Sequence, residues 1–336
     1  MKPGKLIQSF VLFPKHSISY AVPENFNEAD RWLFYEENFS FDIPSIDQLE
    51  LSVTQFSNNL VFQKRIPLFE LTRHKKPALI DLFKAAFRLQ ISRKEKLSLA
   101  ILGIQDWANN YFHWMSEMLP RIVALKHQHP SIPILIQTNY LNYPFIVESL
   151  DLLKIDFKTV DFQQTITLNK LYAIPVPHVG RFNEELMHFF RDKFMQEFTP
   201  CSDPQRLIYI TRGKATRRRV SNESEVFDFL ASRGFEKVIL EDLQIKEQIR
   251  LFCKARVVVA SHGAGLTNIM FMQKGQSVVE LKSDNNNYWC YFSLARVYGL
   301  NYFYNLSKGS SQQHRDADIF VDIALLKKTL TEAMKN

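Results

Sequence analysis

The sequence predicts an α/β protein made of two Rossmann-like domains joined near residue 200. Three observations predict it. From residue 97 onward, short β-branched runs alternate with helical patterns. Right-handed crossovers between such strands make the sheets mainly parallel. The chain has 336 residues, 46% hydrophobic and 23% charged, which is enough length and apolar content for two ordinary cores. The tract 199–204, with Pro200 and Pro204, is the best linker. The expected division is one domain over 1–198, a second over 199–310 and a terminal helix over 311–336.

Residues 1–95 are hard to read. They suggest short strands at 10–13 and 17–22, a helical turn or two within 27–37, a strand pair within 53–63 and a helix over 78–89. The signal sharpens at 97–104, a strand apolar on both faces. A polar loop containing Trp107 follows, and Asn109 or Asn110 caps a helix running from 111 to about 126. Pro120 kinks that helix or ends it. Strands at 132–137, 157–160 and 170–175 alternate with a helix over 143–153, and a helix over 183–198 closes the first half.

The second half repeats the pattern. A strand at 207–211 leads to a helix over 222–232, capped by Asn222 or Ser221 and ended by Gly234. A strand at 237–240, a helix over 245–254 and a strand at 256–260 follow. Then come the turn SHGAG at 261–265, a short helix over 266–272 and a strand at 277–281. A helix over 287–298, a strand at 301–305 and a terminal helix over 319–334 complete the chain.

The net charge of +7 fits a nucleic-acid binder, a nucleotide-sugar enzyme or a protein on an anionic membrane. Arg212, Lys214, Arg217, Arg218 and Arg219 fall within eight positions, a run that is ordinarily a solvated loop. Cys201, Cys253 and Cys290 form neither a disulfide framework nor a zinc motif. The start of the chain shows no signal-peptide pattern, and no stretch approaches the roughly 20 apolar residues of a membrane span. The cytoplasm is the expected compartment. The Asn-x-Ser patterns at Asn38, Asn222 and Asn305 are read as chance.

Ligands of open α/β sheets bind at the carboxyl ends of the strands. Arg212 follows one strand, His262, Gly263, Ala264 and Gly265 follow another, and Glu280 ends a third. Arginine forks and the free N–H groups of a helix start suit a diphosphate, and a carboxylate suits ribose hydroxyls. Each feature alone has a plainer reading: a tightly packed turn, a loop-ordering histidine, a surface carboxylate. Their convergence on one sheet edge favours nucleotide binding. In the first half His113 and Glu117 are four apart and share a helix face, which Arg121 extends. Trp114, Met115, Met118 and Leu119 form the other, core face. The pair is read as acid/base groups, metal ligands or a structural contact, and the metal reading has no third ligand in view.

Taken together, Asn110, His113, Trp114, Glu117 and Leu119 to Arg121, then Ile210 to Arg212 with Asn222, then HGAGLTN at 262–268 with Glu280, resemble glycosyltransferase family 61. The resemblance covers roughly residues 97–285. It implies a GT-B fold, two facing Rossmann-like domains with the donor nucleotide on the second. It also implies inverting transfer from a nucleotide sugar, read as a UDP-sugar, with neither metal nor cofactor. Glu117 would be the general base, and His113 would orient it or touch the donor phosphate. Arg212, Lys214, Arg218, His262, the turn Gly263, Ala264 and Gly265, and Asn268 would hold the nucleotide diphosphate, with Glu280 on the ribose. Asn110, Arg121 and Asn222 would support the acceptor or the structure. The acceptor is expected to be a surface glycan such as bacterial capsule or lipopolysaccharide, with peripheral contact to anionic membrane and no nucleic acid. Another nucleotide-sugar enzyme on the same scaffold, an epimerase or phosphorylase, stays open, as does a basic nucleic-acid-binding module.

Overall fold

The computed structural model describes residues 7–33, 39–57, 59–91, 94–162, 164–198, 203–311 and 316–335. Asn38, Cys201 and most of the expected linker at 199–204 lie outside the described residues. In chain order, β1 (Ile7–Phe13), β2 (His16–Ser19), β3 (Ser40–Ile43), β4 (Ile46–Ser57), β5 (Leu60–Gln63), β6 (Ile66–Pro67), α1 (Leu79–Ile91) and β7 (Lys94–Leu102) precede the motif helix. That helix consists of α2 (Tyr111–His113), a π turn (Trp114–Met118) and α3 (Leu119–Gln128). Next come β8 (Ile134–Gln137), α4 (Pro144–Leu152), β9 (Phe157–Val160), β10 (Thr165–Ala173) and α5 (Glu184–Met195). The second series is β11 (Arg206–Ile210), α6 (Glu223–Ala231), β12 (Glu236–Val238), α7 (Ile245–Cys253), β13 (Ala255–Ser261), a 3-10 helix (Ala264–Phe271), β14 (Ser277–Ser283), α8 (Cys290–Val297), β15 (Asn301–Gly309), β16 (Ile319–Phe320) and α9 (Ile323–Ala333).

Contacts divide the chain into Met1–His16 with Ile43–Glu197, and Ser17–Asp42 with Phe198–Asn336. The sequence placed everything before 199 in one domain, whereas residues 17–42 count with the second unit. Arg296 holds Glu24 at 2.8 Å, and the side chains of Asn25 and Asp30 hydrogen-bond to Tyr304. No composition shift marks that excursion.

In the first unit the strand order is β6-β5-β4-β10-β7-β8-β9, with β1 also on β4. The stretch β10-β7-β8-β9 is parallel, as βα alternation requires. The strands from the poorly readable region add an antiparallel flank: β4 pairs β10 on one edge and β1 and β5 on the other. Leu51, Ala100, Leu102, Leu135, Leu168 and Leu171 belong to the core on this sheet.

Pro120 does not end the motif helix. It sits in the first turn of α3, directly after the π turn. The wider turn accommodates a ring that would otherwise meet the carbonyl one turn earlier, and a residue with no N–H to donate.

In the second unit, β12-β11-β13-β14-β15 are parallel and β16 closes antiparallel to β15. Leu326, Leu330 and Ala333 of α9 share a core with Val257, Val259, Val279 and Leu281, so the terminal helix is part of this unit. Among the described residues, no helix is long and apolar enough to cross a membrane.

Candidate active site

Asn110 starts the motif helix as expected: its side chain accepts from the Phe112 N–H at 2.9 Å. Two turns on, the Glu117 carboxylate is buried and gathers three nitrogen atoms on its Oε2. These are His113 Nδ1 at 2.9 Å, Gln105 Nε2 at 2.6 Å and His74 Nε2 at 3.0 Å. Its Oε1 is buried without a partner among the described residues. Burial alone would raise the carboxyl pKa. The hydrogen bonds from His113 and His74 and the electrostatic pull of their imidazoles outweigh it and hold Glu117 at about 2.

Arg121 is also buried and does not bond the carboxylate. Its guanidinium donates to the backbone oxygens of Glu117 (3.0 Å) and Ile174 (2.7 Å) and to Gln105 Oε1. The last bond orients the Gln105 amide, turning its nitrogen to Glu117. Arg121 and Asn110 thus support the structure around the carboxylate.

His74 and Gln105 escaped the sequence reading. His74 lies in a loop 39 positions before His113 and in a region without clear periodicity. Gln105 sits just past β7. Gly103 permits that approach: a Cβ there would stand 2.9 Å from Ile136 Cγ2 and 3.0 Å from the Leu135 oxygen. Trp107, at φ 66, stacks on His74 with centroids 5.0 Å apart and lies 5.2 Å from the His113 ring. The third metal-type ligand missing from the sequence is therefore His74. One ligand atom each from His74, His113 and Glu117 lie within 4.8 Å of one another, a donor set that suits zinc.

The second group is in the second unit. The Arg212 guanidinium bonds the Arg217 oxygen through Nε (3.2 Å) and Nη2 (3.1 Å) and lies against Gly263. A Cβ on Gly263 would stand 1.9 Å from Arg212 Nη1, so any side chain there would push the guanidinium out of this position. Gly265 has a different reason: a Cβ there would press on Leu240 at 2.7 Å. Ala264 opens the 3-10 helix, whose first N–H groups have no partner within it. Arg218 has φ 57, its oxygen accepts from Ser261 Oγ at 2.9 Å, and its buried Nε, without a hydrogen-bond partner among the described residues, lies 3.6 Å from Asp316 Oδ1. Burial and the neighbouring Arg218 lower the pKa of Arg212.

Glu280 is fully buried, with Oε1 bonded to His262 Nδ1 and Oε2 accepting from Tyr302 at 2.5 Å. Lys282, equally buried, is 3.8 Å away. Both oxygens are engaged, so the carboxylate is not presented to a ribose; it orients His262. Burial pushes the His262 pKa down to about 4 despite Glu280, so its imidazole is neutral near pH 7.

Lys214, Asn268 and Asn222, also expected at the site, and the rest of the basic run have partners within the protein. Lys214 pairs with Asp242, Arg217 with Asp316 and Arg219 with Asp318. Asn268 is fully buried and donates to Gln248 at 2.9 Å, which ties the 3-10 helix to α7. The Asn222 side-chain amide pins the chain at Val321, donating to its oxygen at 2.9 Å and accepting from its N–H at 3.0 Å.

A family model described as Glycosyltransferase 61 matches residues 111–279, half of the chain. The chain belongs to glycosyltransferase family 61. The family-61 match contains His113, Glu117, Arg212, Arg218 and Gly263, and it excludes His74, Gln105 and Glu280.

Among known proteins, the chain is similar to the EGF domain-specific O-linked N-acetylglucosamine transferase of Drosophila melanogaster. The identity is 28% over 126 residues, 36% of this chain and 23% of that protein. The Bos taurus protein of the same name is 30% identical over 90 residues, 25% of this chain and 17% of its own length. The protein O-linked-mannose beta-1,4-N-acetylglucosaminyltransferase 2 of Bos taurus is 28% identical over 133 residues, 37% of this chain and 22% of that protein. The matched stretches thus span less than a quarter of these relatives.

Proposed function

We propose that this family-61 chain is an inverting glycosyltransferase that moves a sugar from a UDP-sugar to a hydroxyl of a glycan. The observation that carries the reading is the seating of Arg212 on Gly263 beside Arg218, at the carboxyl ends of parallel strands. Two guanidiniums there suit the diphosphate that leaves during transfer. The two α/β units are proposed as the domains of a GT-B enzyme, with the donor on the second. The names of the similar animal proteins make UDP-N-acetylglucosamine the first donor to test. A surface glycan such as capsule or lipopolysaccharide is the proposed acceptor, to be assayed beside the O-linked mannose acceptor that one relative's name carries.

In the proposed step the acceptor oxygen bonds to the anomeric carbon as the bond from that carbon to the diphosphate oxygen breaks. The hydroxyl proton goes to a base. Glu117, held at about 2 and already accepting three hydrogen bonds, is a poor proton acceptor. It is better suited to fixing the Nδ1–H tautomer of His113, which leaves Nε2 with a free lone pair. His113 is therefore the proposed base and Glu117 its positioning residue.

His113→Ala should lower kcat by about 10²–10⁴-fold while calorimetric affinity for UDP stays unchanged. Glu117→Gln should also lower kcat and displace its pH profile. An active His113→Ala enzyme removes His113 as base. The His74, His113 and Glu117 set supports a second reading, a metal-assisted transfer. Loss of activity on chelation, restored by zinc, favours that reading; activity that persists in chelator favours the base.

A further inference from the structure

We infer that the outer face of α1 is a docking surface for an anionic lipid bilayer. The helix is apolar on two sides. Leu82, Ala85 and Leu89 face the first unit, where Ala85 and Leu89 are buried beside Leu60 and Phe62. Leu79, Ile80, Phe83, Phe87 and Ile91 fall on a separate arc at spacings that share one face. They are exposed, from 53% for Phe87 to 84% for Leu79. Phe162, 48% exposed, adds to this apolar region through Arg88, which stacks on its ring at 5.3 Å and reaches its carbonyl. Scattered exposed apolar residues need no explanation, but five large ones along one short helix do.

Charge selects the occupant. Lys75 and Lys76 are exposed just ahead of the helix, and Lys84 borders the apolar arc. The one acid of α1, Asp81, is paired with Arg73 at 3.5 Å. An apolar face edged by lysines lies in the plane of a membrane interface, where the rings enter the acyl boundary and the ammonium groups meet anionic headgroups. A second copy of the chain would bring the same lysines together. The surface is distinct from both groups described above, although α1 begins five residues after His74.

Co-sedimentation tests this, using the full chain with vesicles of phosphatidylcholine alone or with added phosphatidylglycerol. The chain is expected to bind only the anionic vesicles, and binding should weaken as salt rises. Phe83→Ser with Phe87→Ser should lower the partition coefficient at least about tenfold. Lys76→Glu with Lys84→Glu should lower it several-fold. All four side chains are exposed, so thermal melting in the absence of vesicles checks that the variants remain folded. No binding by the parent chain, or equal binding by the phenylalanine variant, overturns the proposal. So does a parent chain that light scattering shows to be a dimer and the variant a monomer, with neither on vesicles; the face would then seat a second copy.

Discussion

At the scale of residues, both candidate groups pair a buried carboxylate with histidine, but burial acts on them differently. Glu117 collects two imidazoles and an amide and stays ionised. Glu280 shares its site with Lys282, Tyr302 and His262, and the histidine is the member pushed to the neutral form. This has a pH consequence. His262 takes a proton at about 6.5 when unfolded and at about 4 when folded, so the unfolded state binds more protons between those values. Stability should therefore fall as pH drops from about 6.5 towards 4, by about 2–3 kcal/mol. Glu280, whose pKa lies below its ordinary value, should add a further loss at lower pH. Denaturant titrations at pH 7 and pH 5 measure this; equal stabilities would contradict it, and His262→Gln should flatten the slope. Gly263→Ala addresses the other group. Its added methyl would displace Arg212, so UDP affinity should drop about tenfold or more while the melting temperature changes little. Unchanged calorimetric affinity would separate Arg212 from the nucleotide. The arginines and the glycine turn were legible in the sequence because small residues and positive charges at strand ends are local signals. The inward turn of Glu280 was not, because its partners Tyr302 and Lys282 are set by strand neighbours and burial.

At the scale of elements, the carboxyl end of β7 and the π turn position the first group. Gly103 lets the chain pass Ile136 and the Leu135 carbonyl closely enough to bring Gln105 to Glu117. Gly103→Ala should therefore cost about 1–3 kcal/mol, read as a lower denaturation midpoint, with a fall in activity as Gln105 shifts. A variant as stable and active as the parent would show that the strand ends move apart freely. Most helices and parallel strands were legible from periodicity, including the Asn110 cap and the Gly234 stop. The antiparallel flank was harder to read. Its pairings involve short strands distant in sequence, such as β1 with β4, and leave only weak local patterns. A π turn likewise has no local signature beyond the proline it accommodates.

At the scale of the whole molecule, a donor that binds only the native chain must stabilise it by mass action. UDP or UDP-N-acetylglucosamine at about 100 times its dissociation constant should add about 2.7 kcal/mol and raise the melting temperature by a few degrees. Arg212→Ala should abolish that rise, whereas a shift that survives in the variant would place the nucleotide elsewhere. The basic run is solvated, as its composition suggests: Lys214, Arg217 and Arg219 are exposed. Each also meets an aspartate from another segment, as Arg218 meets Asp316, so the loop carries less free positive charge than its five cations imply. The sequence by itself determined the α/β class, the βα order and the family, and it singled out His113, Glu117, Arg212 and Gly263 as candidates, because periodicity, turn chemistry and motif spacing are written locally. Only the tertiary structure decided that residues 17–42 join the second unit, that His74 and Gln105 complete the Glu117 cluster and that Glu280 serves His262. Those outcomes depend on which distant segments share a buried, low-dielectric space, where a carboxylate must find donors wherever the fold brings them.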